Sequence, residues 1–163
     1  MAKRLKRLGL ATLMIAGLLF TLAGTWRDPW LWAYVSVCSA AAAYALLSID
    51  EDLAKERFRP PNAGADRLAV RFLRLVALSH LVVGALDTGR WHLTPPVPAA
   101  VRIVALVGMA TGLVMFYRAM RENRFFSAVV RIQDDRGHRV VDSGPYRVVR
   151  HPLYFGFVLA FWM

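Results

Sequence analysis

The chain has 163 residues, 57% of them hydrophobic, with a mean hydropathy of +0.40 and a net charge of +10. A soluble domain of this size needs a polar shell. Here the apolar residues instead fall in long blocks separated by short charged segments, the pattern of a multi-spanning membrane protein. The basic residues flank those blocks, so the charge points to positive-inside topology and anionic headgroups and away from nucleic acid. The lone Cys38 lies inside an apolar block, which excludes a disulfide framework and a CxxC metal knuckle.

The first apolar block covers residues 8–24 and follows Lys3, Arg4, Lys6 and Arg7. A signal peptide would begin the same way, but no A-x-A site follows and a second apolar block starts almost at once. The connector from Thr25 to Trp30 contains Asp28-Pro29 and two tryptophans, and predicts the turn of a helical hairpin at the membrane interface. The second block covers residues 30–49, and its Ala40–Ala43 run allows a neighbouring helix to come close. Residues 50–67 are charged and contain Pro60, Pro61 and Gly64, so they form a loop.

The third block covers 68–86, a proline-rich turn covers 87–98, and the fourth block covers 99–117. Within the third block, His80 lies too far from the cytoplasmic end to join a site there, and a helix–helix hydrogen bond is its expected role. Arg71 and Arg74 are placed to snorkel to the inner interface or to meet an acidic substrate.

A polar stretch, 118–151, then leads into a fifth block that opens at Pro152. Within it, Ala128–Gln133 and His138–Val141 flank Asp134-Asp135-Arg136-Gly137, which predicts either a short β-hairpin on the cytoplasmic face or an irregular loop. His138 has no partner at metal-ligand spacing, and the sequence predicts no metal site.

Alternating sides from a cytoplasmic N-terminus puts 18 of the 21 Lys and Arg residues inside. Only Arg27, Arg90 and Arg102 remain outside, which supports the layout. The expected fold is therefore an all-α membrane protein with four transmembrane helices plus the start of a fifth. The expected domains are a transmembrane region, 1–117, and a segment, 118–163, that holds the cytoplasmic loop and the fifth helix. Pro152 to Met163 gives about 18 Å of helix against a hydrocarbon core of about 30 Å, so a truncated last span is expected.

The segment richest in chemistry is Ser143-Gly144-Pro145-Tyr146-Arg147-Val148-Val149-Arg150-His151-Pro152-Leu153-Tyr154-Phe155-Gly156. Gly144-Pro145 marks a turn. Pro152 suits the first helical position, where its missing N–H costs nothing. His151 then sits at the cap of the helix with Arg150 just outside it. Free N–H groups and the positive end of the helix dipole converge there, which suits a carboxylate or phosphate. Tyr154 falls on the same helix face as Arg150 and His151. Gly156 allows a ligand or a backbone to approach closely.

The string GPYRVVRHPLYFG resembles the signature of the isoprenylcysteine carboxyl methyltransferase family of integral membrane methyltransferases, and a similar segment occurs in the related phospholipid N-methyltransferases. Asn123-Arg124-Phe125-Phe126-Ser127 and the stretch after it resemble bacterial members. The resemblance implies S-adenosyl-L-methionine bound at the cytoplasmic face of a bacterial inner membrane. It makes Arg150, His151, Tyr154 and Gly156 cofactor-site residues, with Asn123 and Tyr146 in support and Arg150 the candidate for a catalytic role. Family members continue into a segment with an Arg and paired acidic residues, which this sequence does not match.

Displacement at a sulfonium requires mainly alignment of the nucleophile and exclusion of water. A carboxylate nucleophile needs no base, whereas an amine does. The motif offers no carboxylate, so carboxyl methylation of a lipidated, prenylated or otherwise amphiphilic small molecule is the favoured reading. Phospholipid N-methylation, a membrane reductase on a related scaffold and a non-enzymatic lipid-binding protein are the alternatives. Glu122 and Asp142 are the acids that would supply a base if one is needed.

Overall fold

The computed structural model describes residues 2–49, 53, 66–127 and 137–162. Five α-helices run in order: α1 (Ala2–Ala23), α2 (Pro29–Ser48), α3 (Asp66–Leu86), α4 (Ala99–Glu122) and α5 (Pro152–Trp162). A π-helical turn, Asp87–Trp91, extends α3, and a 3-10 turn, Gly144–Arg147, precedes α5. The first four helices are long and apolar enough to cross a membrane, and α5 is a shorter apolar helix. The chain is an all-α, multi-pass membrane protein, with no strand among the described residues. The expected hairpin falls largely outside the described residues, and 137–141, which is described, is not in a strand.

Two helix ends lie beyond the apolar blocks. α1 already begins at Ala2, and α4 runs on to Glu122. The Arg-Ala-Met-Arg-Glu stretch after Tyr117 contains good helix formers and no breaker, and Arg121 in the last turn complements the helix dipole.

The first turn is fixed by local chemistry. Gly24 takes a positive φ of 71° at the end of α1. Asp28 caps α2, its Oδ1 accepting from the N–H groups of Trp30 (2.7 Å) and Leu31 (3.4 Å), and Pro29 fills the first helical position. Trp32 Nε1 donates to the carbonyl of Trp26 at 2.8 Å. The second turn is built similarly. Asp87 Oδ1 accepts from Leu93 N (2.7 Å) and Thr94 N (3.3 Å), and His92 is left-handed with φ 50°.

The three arginines left on the far face each have a structural partner. Arg90 donates from Nε to Leu22 O (2.7 Å) and from Nη2 to Thr21 O (3.0 Å), so α3's turn satisfies carbonyls at the end of α1. Gly89 permits this closeness, because a Cβ there would lie 2.6 Å from Ala23 Cα. Arg27 lies over the Trp26 ring, and Arg102 lies over Trp30 while donating to Val97 O.

The helices form an arc in which α3 packs on α1, α1 on α2, α2 on α4, and α4 most extensively on α5. Leu19, Val35 and Ala85 bury the contact of α1, α2 and α3. Leu53, Ala119, Met120 and Leu153 bury the opposite end, under α5's first turn. The arc bounds a cavity of about 910 Å³, lined among others by Leu19, Tyr34, Cys38, His80, Met109 and Phe161. His80 lies beside Phe161 with ring centroids 6.3 Å apart, so its contact between α3 and α5 is a ring contact and not the expected hydrogen bond.

A second close approach, between two helices, is the crossing of α4 and α5. A Cβ on Gly112 would lie 2.6 Å from Ala160 N and 2.7 Å from Gly156 O. A Cβ on Gly156 would lie 2.7 Å from both Gly112 O and Phe116 N. The two backbones touch with no side chain between them, which small residues alone allow. Gly112→Leu or Gly156→Leu must therefore push helices apart. Each is expected to lower stability by about 3 kcal/mol, the upper part of the overpacking range. Gly17→Leu, whose Cβ meets nothing within 4 Å, is expected to leave the midpoint unchanged. Thermal unfolding in detergent, followed by helical circular dichroism, distinguishes the two outcomes.

Candidate functional site

α5 begins as its sequence dictates. Pro152 is fully buried in the first helical position, and the helix is entered with Phe155 N donating to His151 O at 3.1 Å. The first N–H groups of a helix have no intrahelical acceptor. Around that end, Arg150, His151 and Tyr154 are all exposed, Tyr154 to 72%. The His151 and Tyr154 rings stand edge-to-face with centroids 6.0 Å apart, as their three-residue spacing requires. The structure thus brings the His151 imidazole and the Tyr154 phenol together at the start of the helix, with Arg150 exposed just before them in the chain.

The other three predicted residues are built into the support. Gly156 is buried, and what approaches it is the backbone of α4. Asn123 ends α4, its N–H donating to Ala119 O at 3.0 Å while its Oδ1 accepts from Phe125 N, also at 3.0 Å. Its Nδ2 donates to the Tyr146 hydroxyl at 3.3 Å. Tyr146 packs against the Ala119–Met120–Leu153 cluster. Burial pushes the Tyr146 phenol above its ordinary pKa, with the Glu122 charge acting the same way and the Asn123 bond opposing.

Beside these residues, Ser143 Oγ donates to Glu122 Oε1 at 2.5 Å. Gly144 has φ +54°, and a Cβ there would lie 2.9 Å from Glu122 Cδ. A polar cleft of about 660 Å³ adjoins the contact, lined by Glu122, Arg124, Arg139 and Asp142 among others. Phe125 and His138 stack at its side, with centroids 5.0 Å apart.

Two parts of this arrangement lie outside the predicted site residues. One is Gly112, the partner of Gly156. Its signals were present as Gly108-x-x-x-Gly112 and Gly156-x-x-x-Ala160, the small-residue spacing of close membrane helices. The other is the Glu122–Ser143 contact, for which no spacing rule exists.

The fold defines a multi-pass α-helical membrane protein whose α4, turn and α5 form one tightly packed unit. Residues 103–162, the span of that unit, match the isoprenylcysteine carboxyl methyltransferase (ICMT) family. Over that segment the chain is similar to the ICMT family, which at a coarse level points to a membrane methyltransferase. No curated protein and no solved structure matches the chain.

The Tyr146 phenol yields a pH prediction. Its folded pKa is raised above the ordinary 10.0, so the neutral form is favoured in the fold. That contribution is fully present below about pH 10 and is lost as pH rises through the folded value. Wild-type stability is expected to fall above about pH 10 more steeply than that of Tyr146→Phe. At neutral pH the variant should be less stable by about 1 kcal/mol for the lost Asn123 bond. Parallel pH titrations of the unfolding midpoint check both signs.

Proposed function

We propose that the chain binds S-adenosyl-L-methionine at the start of α5, on the cytoplasmic face, and methylates a carboxyl group of a lipidated or prenylated amphiphile. The observation that carries this reading is a coincidence of place. The family match covers the unit that exposes Arg150, His151 and Tyr154 at a helix N-terminus.

The chemistry of these donors fits the methyl donor. Arg150 and the free N–H groups of α5 suit its amino-acid carboxylate. The ring faces of His151 and Tyr154 suit a cationic centre and a flat base. When bound, the donor supplies an electrophilic methyl group. The residues around it hold it, orient it and limit water at the reacting centre.

A carboxylate acceptor is favoured because it needs no base. Glu122 accepts a hydrogen bond from Ser143, and none of Arg150, His151 and Tyr154 is a carboxylate. The cavity between the helices opens among the far-face turns, with Asp28, Asp87, His92 and Arg102 on its wall, and reaches α5 at Ala160 and Phe161. Phe161 on its wall lies seven residues beyond Tyr154, about 10 Å deeper along α5. A polar head at the motif would let an apolar chain reach the cavity. The placement of 18 of the 21 basic residues supports a cytoplasmic motif in a bacterial inner membrane.

Calorimetry on the detergent-solubilised chain tests the reading. Wild type is expected to bind S-adenosyl-L-methionine. Arg150→Ala and His151→Ala should each weaken binding about tenfold, the scale of one charge-assisted contact. Absence of binding by wild type, or thermal protection by NADPH in its place, would overturn the proposal.

A further inference from the structure

The last two residues of α4 each hold a different residue of the turn that leads to the motif. Glu122 accepts from Ser143 Oγ at 2.5 Å, and Asn123 donates to Tyr146 OH at 3.3 Å. Between these bonds, Gly144 presses its backbone against the Glu122 carboxylate, in a left-handed conformation that glycine adopts without strain. The backbone then closes a 3-10 turn, with Tyr146 N donating to Ser143 O at 3.1 Å and Val149 N to Pro145 O at 3.1 Å. Arg150 and His151 follow directly.

The segment from Ser143 to His151 is therefore tied at both ends to one helix. Its far end is fixed because α5 crosses α4 at Gly112 and Gly156 and buries Leu153 against Ala119 and Met120. Its near end is fixed by Glu122. The bond there joins a hydroxyl to a carboxylate, a charge-assisted pair. Released at that end, the turn would be held only by the Asn123–Tyr146 bond and the packing of Tyr146, and Arg150 would lose one of the ties that set its position.

We infer that Glu122 and Ser143 form a clamp that positions Arg150 and His151 for the methyl donor. Both are positioning residues that do not touch the donor. The inference rests on the reading of the α5 N-terminus as the donor site and adds to it what sets that site's geometry. It assigns Glu122 to holding the turn.

The experiment uses the whole chain in nanodiscs with Glu122→Ala, Glu122→Gln, Ser143→Ala and the Glu122→Ala/Ser143→Ala double variant. Two quantities are read: amide hydrogen exchange over residues 143–151 and affinity for S-adenosyl-L-methionine. Each alanine variant is expected to speed exchange in the turn and weaken affinity about tenfold, with an unfolding midpoint lowered no more than that of Tyr146→Phe. The double variant should lose no more than either single one, because both remove the same bond. Glu122→Gln should recover most of both readouts, since its amide oxygen still accepts from Ser143. Additive losses, or normal affinity in Glu122→Ala, would overturn the clamp. Unchanged exchange in the alanine variants would overturn it too. Faster exchange in those variants with no donor binding by wild type would keep the clamp and overturn the donor reading alone.

Discussion

The contact between the backbones of α4 and α5 at Gly112 and Gly156 is the constraint on which the rest of the structure depends. Within a bilayer, lipid tails are as apolar as leucine, so helices gain little from hiding apolar side chains from one another. Association must come from close packing. A crossing in which the added Cβ atoms would sit 2.6–2.7 Å from main-chain atoms gives the largest area of such contact. It also fixes α5 along its own axis, because a slide by one residue would bring a side chain to the crossing. The start of α5 is thereby held against the end of α4, with Pro152 and Leu153 buried beneath it.

From that constraint follows a division of labour in the motif. Gly156, Asn123 and Tyr146 spend their special properties on the frame: one on a missing side chain, two on a hydrogen bond beneath the turn. Arg150, His151 and Tyr154 spend none of theirs, and all three remain exposed on the same side. A motif that mixes residues facing inward and outward keeps ligand-facing groups in register with a rigid helix pair. The polar groups of the opposite face are largely spent on its turns, as with Asp28 and Asp87. Its three arginines are used to cap α1 or to lie over tryptophans.

The spans and turns were legible in the sequence because hydropathy reports what must avoid water, and Asp28-Pro29 and His151-Pro152 each spell a helix start. The helix start at Pro152 and the shared face of His151 and Tyr154 follow from spacing alone. The lateral order of the helices was not legible, since each span is apolar all round and lipid and neighbour look alike to it. The extension of α4 to Glu122 was obscured by its arginines, which end an apolar block without ending a helix. The Glu122–Ser143 bond was hidden for a different reason. It joins residues far apart in sequence and depends on the glycine crossing to bring them together.

Photo-crosslinking most directly tests the claim that the helix start at Pro152 is where the methyl donor sits. Wild-type chain in native-like membranes would be irradiated with labelled S-adenosyl-L-methionine and the modified peptide mapped. The account predicts label concentrated on residues 146–156, competed by unlabelled donor. Saturable label confined to the far-face turn around Trp91, or none above that of an unrelated membrane protein, would contradict it.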